Sequence, residues 1–156
     1  MLTAKRGARV AFNADSYRVG IVAARFNADI TEALVRESLR TCRAYRVKKS
    51  DITLWRVPGS VEIPVILQAL AKTKNYDCLV ALGAIIQGAT PHFDYVAKLV
   101  AEGVLRVMLD FDIPIGFGIL TLDTKNQAKT RLRIGSDAAA AALNGARLIK
   151  EIRQKP

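Results

Sequence analysis

Four strand-length, mostly apolar stretches of this chain are each followed by a segment of helical character, and that repetition restricts the fold more than any other feature. The stretches are residues 17–24 (YRVGIVAA), 51–57 (DITLWRV), 79–86 (LVALGAII) and 113–120 (IPIGFGIL). A strand with one solvated face alternates apolar and polar residues, whereas a continuous run belongs to a strand covered on both sides. Between and after the runs lie helix patterns. One is capped by Asp29 and extends to about Tyr45, with Ile30, Ala33, Leu34, Leu39 and Cys42 near one face. Others run from Ile63 to about Lys72 and from Pro91 to about Leu109, the latter with Val96, Leu99, Val100, Gly103, Val104 and Val107 inward. A short helix from Lys125 to about Leu132 and an alanine-rich one from Ser136 to about Ile152 are parted by Gly135. Strands joined through helices run parallel, and right-handed crossovers set helices on both faces. The expectation is an α/β fold: a three-layer α/β/α single domain over 1–156 with a four-stranded parallel sheet. Residues 1–15 are expected to form an N-terminal arm, loose or docked on a neighbouring subunit.

A chain of 156 residues can bury roughly 70% of its unfolded surface without staples, and an apolar content of 51% excludes disorder. The apolar runs are strand-length and the opening MLTAKRGARVAFNADSY has no signal-peptide core, so a cytoplasmic protein without membrane attachment is expected. Cys42 and Cys78 read as small apolar core residues and lack metal-ligand spacing. His92-Phe93-Asp94 offers one imidazole and one carboxylate, short of a ligand set, so no metal is expected. The formal charge of +10, from 24 Lys and Arg against 14 Asp and Glu, raises polyanion binding. The basic residues are scattered, however, with mild enrichment at Lys5, Arg6, Arg9 and at Arg147, Lys150, Arg153, Lys155, and no aromatic ladder accompanies them. A solvated basic surface is expected, with no nucleic-acid partner.

In parallel sheets ligands bind beyond the carboxyl ends of the strands. Those ends carry Phe26, the bend Pro58-Gly59-Ser60-Val61-Glu62-Ile63-Pro64, and residues 83–92. In the last of these, Thr90-Pro91 is a helix start whose free N–H groups favour phosphate, and His92, the only histidine, is suited to proton transfer near neutral pH. Each has a plainer reading: His92 decorating a helix end, Phe26 a core aromatic, Glu62 an acid suited to a helix start. Gly116-Phe117-Gly118 in the fourth run removes side chains so that a backbone, ring or ligand can approach.

Four segments, in order and spacing, resemble the 6,7-dimethyl-8-ribityllumazine synthase family: residues 24–27 (ARFN), 57–64 (VPGSVEIP), 82–96 (LGAIIQGATPHFDYV) and 117–121 (FGILT). The similarity spans roughly 17–149. It implies a lumazine synthase-like, flavodoxin-like topology and a transferase of riboflavin biosynthesis. Such an enzyme condenses 5-amino-6-(D-ribitylamino)uracil with 3,4-dihydroxy-2-butanone 4-phosphate through an imine, phosphate elimination and ring closure, and uses no cofactor.

By resemblance, Phe26 stacks on the pyrimidine, Ser60, Val61 and Glu62 hold the ribityl hydroxyls, and Ala84, Ile85 and Ile86 address the heterocycle through their backbone. Ala89 and Thr90 face the phosphate and His92 transfers protons. Phe117 and the phosphate-gripping Arg131 match residues that come from the adjacent subunit. The resemblance therefore implies a homo-oligomer, a pentamer or a pentamer-based assembly up to a hollow icosahedral shell, with riboflavin synthase as a functional partner. The chain departs from the family in having Gln87 where arginine is frequent. It also has a shorter loop after Arg131, in which Asp137 falls near an expected lysine and Arg133 is the candidate replacement charge. That loop is the ground for a rival reading, a shell-forming or ligand-binding homologue with weak or no synthase activity.

Overall fold

A computed structural model describes residue 7 and residues 10–156. The apolar runs become strands β1 (Val19–Ala24), β2 (Ile52–Val57), β3 (Cys78–Ile86) and β4 (Ile115–Leu122), and the helices are α1 (Ala28–Ala44), α2 (Ile63–Lys72), α3 (His92–Asp110) and α4 (Ile134–Gln154). All strand pairs are parallel, in the order β2-β1-β3-β4. This is the expected α/β sheet. Its strand order reverses between β1 and β3, which in doubly wound folds is where ligands enter.

The sheet is covered on both sides along β1 and β3, whose apolar runs require it, whereas the edge strand β2 is mostly half-buried and leaves Trp55 exposed. On one face Leu34 and Cys42 of α1 and Ala139 and Leu143 of α4 pack against Val19, Ile21, Val80 and Leu82. On the other, Leu67 of α2 and Val100 and Val104 of α3 pack against Val22, Leu79 and Ala81. Both thiols are buried, as expected for small core residues. Gly116 serves close approach by the chain's own backbone, since a Cβ there would lie 2.0 Å from the Ala138 carbonyl oxygen and α4 rests directly on β4, while a Cβ on Gly118 would meet the Leu82 side chain at 2.6 Å.

Several local expectations are corrected. Asp29 does not cap α1; Asn27 occupies that position, and Asp29 instead pairs with Lys125 at 2.6 Å. Helix α3 starts at His92, with Pro91 at its cap rather than as its first residue. Gly135 is no break but part of the first turn of α4, where a Cβ would meet the Leu34 carbonyl at 2.4 Å. Leu99 faces outward at 51% exposure. The segment after β4 is a 3-10 turn, Lys125–Thr130. The described part of the arm docks on its own chain: Ala14 is buried, and Phe12 packs edge-on against Tyr45 at 5.4 Å. Lys5, Arg6, Arg9 and most of the arm lie outside the described residues. Among the described residues, no helix is long and apolar enough to cross a membrane.

Candidate active site

The site begins where β1 stops short. Pairing between β1 and β3 ends at Ala23↔Leu82, while β3 and β4 stay paired to Ile86↔Leu122. Past Leu82, the side of β3 that faced β1 has no strand beside it. Main-chain groups of successive residues point to opposite sides of a strand. The Gln87 N–H donates to Leu122 on β4 at 2.8 Å, and the Ala84 carbonyl accepts from the Asn27 side chain on the opposite side at 2.9 Å. By the same alternation the main chain of Ile86 points into the space beyond β1.

That space is a cavity of about 460 Å³ lined by Phe26 and Asn27 after β1, Pro58 to Glu62 after β2, Ala84 to Ile86 at the end of β3, and Gly88, Thr90, His92, Phe93 and Val96 around the start of α3. Three strand ends and one helix start converge there, in keeping with the sheet's reversal point.

The turn after β1 holds Phe26 out over this space. Arg25 N–H donates to the Val57 carbonyl at 2.7 Å and Phe26 N–H to the Pro58 carbonyl at 3.0 Å. Phe26 is 71% exposed, so the core-aromatic reading of this residue fails: its ring faces water at the cavity mouth. Across the cavity, Ser60 is buried. Its Oγ occupies room left by Gly83, where a Cβ would stand 2.6 Å away. The Glu62 carboxylate accepts the Gly59 N–H at 3.0 Å, which fixes the bend while the residue stays exposed to the cavity. The helix-start role and a ligand role for Glu62 are therefore compatible. His92 opens α3 on the same wall, at a first turn that no side chain caps, although the Asp94 N–H donates to the Pro91 carbonyl at 3.0 Å.

Of the residues singled out from sequence, Phe26, Ser60, Val61, Glu62, Ala84, Ile85, Ile86, Thr90 and His92 line this one cavity. Ala89, Phe117, Arg131 and Arg133 do not. Phe117 sits on the outer strand opposite Ala81 and is 40% exposed. Arg131 follows the 3-10 turn and donates to its own Gln127 carbonyl at 3.0 Å. Arg133 lies 3.7 Å from Asp137. Sequence reasoning assigned Asn27 and Phe93 no part in a site and read Val96 only as an inward residue of its helix; for Asn27 the available signal was an asparagine in the turn after a strand, a residue that tolerates left-handed backbone. Chemically, the cavity offers a flat aromatic face, one carboxylate, one imidazole and a helix start, and among the described residues no lysine or arginine lines it.

Residues 16–150 match the family model described as 6,7-dimethyl-8-ribityllumazine synthase. The chain is also similar to the 6,7-dimethyl-8-ribityllumazine synthase of Anaeromyxobacter sp. (strain Fw109-5), at 40% identity over 148 residues that cover 92% of this chain and 91% of that protein.

Proposed function

Because the chain belongs to the 6,7-dimethyl-8-ribityllumazine synthase family, we propose a division of labour in its cavity for the condensation that this family carries out. The enzyme, a transferase of riboflavin biosynthesis, joins 5-amino-6-(D-ribitylamino)uracil to 3,4-dihydroxy-2-butanone 4-phosphate and yields the lumazine, with loss of phosphate and water. The Phe26 ring stacks on the pyrimidine, and the main chain at the end of β3 meets the edge of that ring. Ser60, the main chain at Val61 and the carboxylate of Glu62 take the ribityl hydroxyls. Ala89, Thr90 and the first turn of α3 face the phosphate. His92 moves protons between the attacking amine, the carbonyl oxygen and the departing phosphate. The observation that carries this reading is the pairing of a water-exposed Phe26 with the unpaired side of β3 across one cavity.

Little further chemical help is required. Holding two reactants side by side lowers a barrier by about 7–11 kcal/mol, whereas a positioned acid or base adds about 100- to 10,000-fold.

A phosphate dianion calls for a cation, and among the described residues none lines the chain's own cavity. We propose that Arg131, with Arg133 beside it, supplies that charge to the cavity of the adjacent subunit, and that Phe117 closes the same cavity. All three are outside the cavity of their own chain. Exposed Tyr95 and Leu109 on α3 and Leu148 and Ile152 on α4 add apolar surface of the kind that oligomers cover. The proposal is therefore a cytoplasmic homo-oligomer, pentameric or built from pentamers, whose product passes to riboflavin synthase. Mixing the purified protein with both substrates and following the fluorescent lumazine, alongside sedimentation, tests both parts. An assembled protein that makes no lumazine would defeat the catalytic assignment, and a fully active monomer would defeat the shared site.

A further inference from the structure

We propose that Asn27 is a positioning residue, whose amide bridges the turn after β1 to the end of β3 and so sets the gap between the Phe26 ring and the Ile86 main chain into which the pyrimidine slides. This role rests on the assignment of the cavity given above.

Asn27 has two unusual properties at once. Its backbone is left-handed, at φ 57° and ψ 49°, a conformation that asparagine, aspartate and glycine accept far more readily than other residues. It also stands at the cap of α1, yet its side chain makes no capping bond. The amide reaches away from the helix, and its Nδ2 donates to the Ala84 carbonyl at 2.9 Å. A helix-capping function therefore does not account for the residue.

The other bonds of the turn run elsewhere. The N–H groups of Arg25 and Phe26 go to Val57 and Pro58, on the β2 side. The Thr31 hydroxyl reaches the carbonyls of Phe26 and Asn27, at 3.3 and 3.2 Å, from within α1 itself. Among the described residues, the Asn27 amide is the one hydrogen bond that ties this turn to β3, across the gap left where β1 ends. Without it, the stacking ring is fixed relative to β2 and α1 but not relative to the strand that reads the other dimension of the same ring. The bond also engages the Ala84 carbonyl, and two residues further on the Ile86 main chain faces the same side.

Asn27→Gly and Asn27→Asp separate the two properties. Both tolerate the left-handed backbone, and neither can donate to a carbonyl. In the assembled, full-length enzyme, each is expected to raise the KM for the ribitylaminouracil about tenfold, the size of one lost neutral hydrogen bond. The KM for the phosphate substrate should stay within about twofold. The Kd of the product lumazine, read from its own fluorescence, should weaken in step with the first. Sedimentation should be unchanged. An unaltered pyrimidine KM in either variant would overturn the proposal. An equal rise in both KM values, or loss of assembly in both variants, would also overturn it, since either marks a general structural role. A wild-type protein that binds the lumazine but forms none from the two substrates would instead refute the catalytic assignment, a failure visible without any variant.

Discussion

His92 starts α3 on the cavity wall, and its contribution is separable from that of simple juxtaposition. His92→Ala is expected to lower kcat about 100-fold, the modest end of what a positioned acid or base supplies, while leaving measurable turnover from orientation; complete loss in an assembled variant, or no loss, would contradict the assignment. The buried thiols make a different prediction. Burial pushes the Cys42 thiol up to about 12 from 9.0, and burial likewise raises Cys78. An unfolded chain releases the Cys42 proton from about pH 9 and the folded chain holds it to about pH 12. Its contribution to stability is therefore complete below pH 9 and lost as pH climbs through that window. Denaturation midpoints measured from pH 8 to 11 should fall, less steeply in Cys42→Ala, although that variant starts lower because it leaves a cavity. At this scale the sequence made His92, Phe26 and Glu62 visible because their chemistry is rare or their setting abrupt. Asn27 went unread because its partner, Ala84, lies 57 positions away, and no local pattern announces such a bond.

Elements were legible where burial dictates them and illegible where a single hydrogen bond decides. The four strands and long helices follow from apolar periodicity, and their positions agree with the sequence reading to within about three residues. The caps did not follow. Asp29 looks like a cap in isolation, but Lys125 holds it and lowers its carboxyl pKa through that hydrogen bond. Gly135 looks like a break, yet the reason for glycine there is the Leu34 carbonyl of α1, contact with which only the packed molecule reveals. Gly116 is the strictest case. Gly116→Ala should force α4 away from β4 and cost roughly 1–3 kcal/mol of stability, measurable as a lower urea midpoint with an unchanged slope. Gly83→Ala should cost comparably, but the strain falls on Ser60, so a rise in the KM for the ribitylaminouracil should accompany it. Normal stability in Gly116→Ala would mean that the helix has slack the packing does not display.

At the scale of the whole molecule, the proposed function makes the cavity one part of a site that a neighbouring subunit completes. If Arg131 serves a neighbour, Arg131→Ala should raise the KM for the phosphate substrate well above any change for the pyrimidine. Co-expressing Arg131→Ala chains with His92→Ala chains should then give activity well above that of either homo-oligomer. In a random equimolar mixture about a quarter of the interfaces join an intact His92 to an intact Arg131, and recovery near that fraction is the expected result; none would place both residues in one chain's site. The unequal strand lengths bear on specificity as well. Where β1 gives out beside β3, the sheet is one lane short, and the molecule that docks there stands in for the missing peptide. Lanes in a sheet lie about 4.8 Å apart and bond within a thin plane. A surrogate must therefore be flat and carry its donors and acceptors along one rim. A saturated, puckered ring with the same substituents and equal volume should be turned away, by geometry rather than by charge.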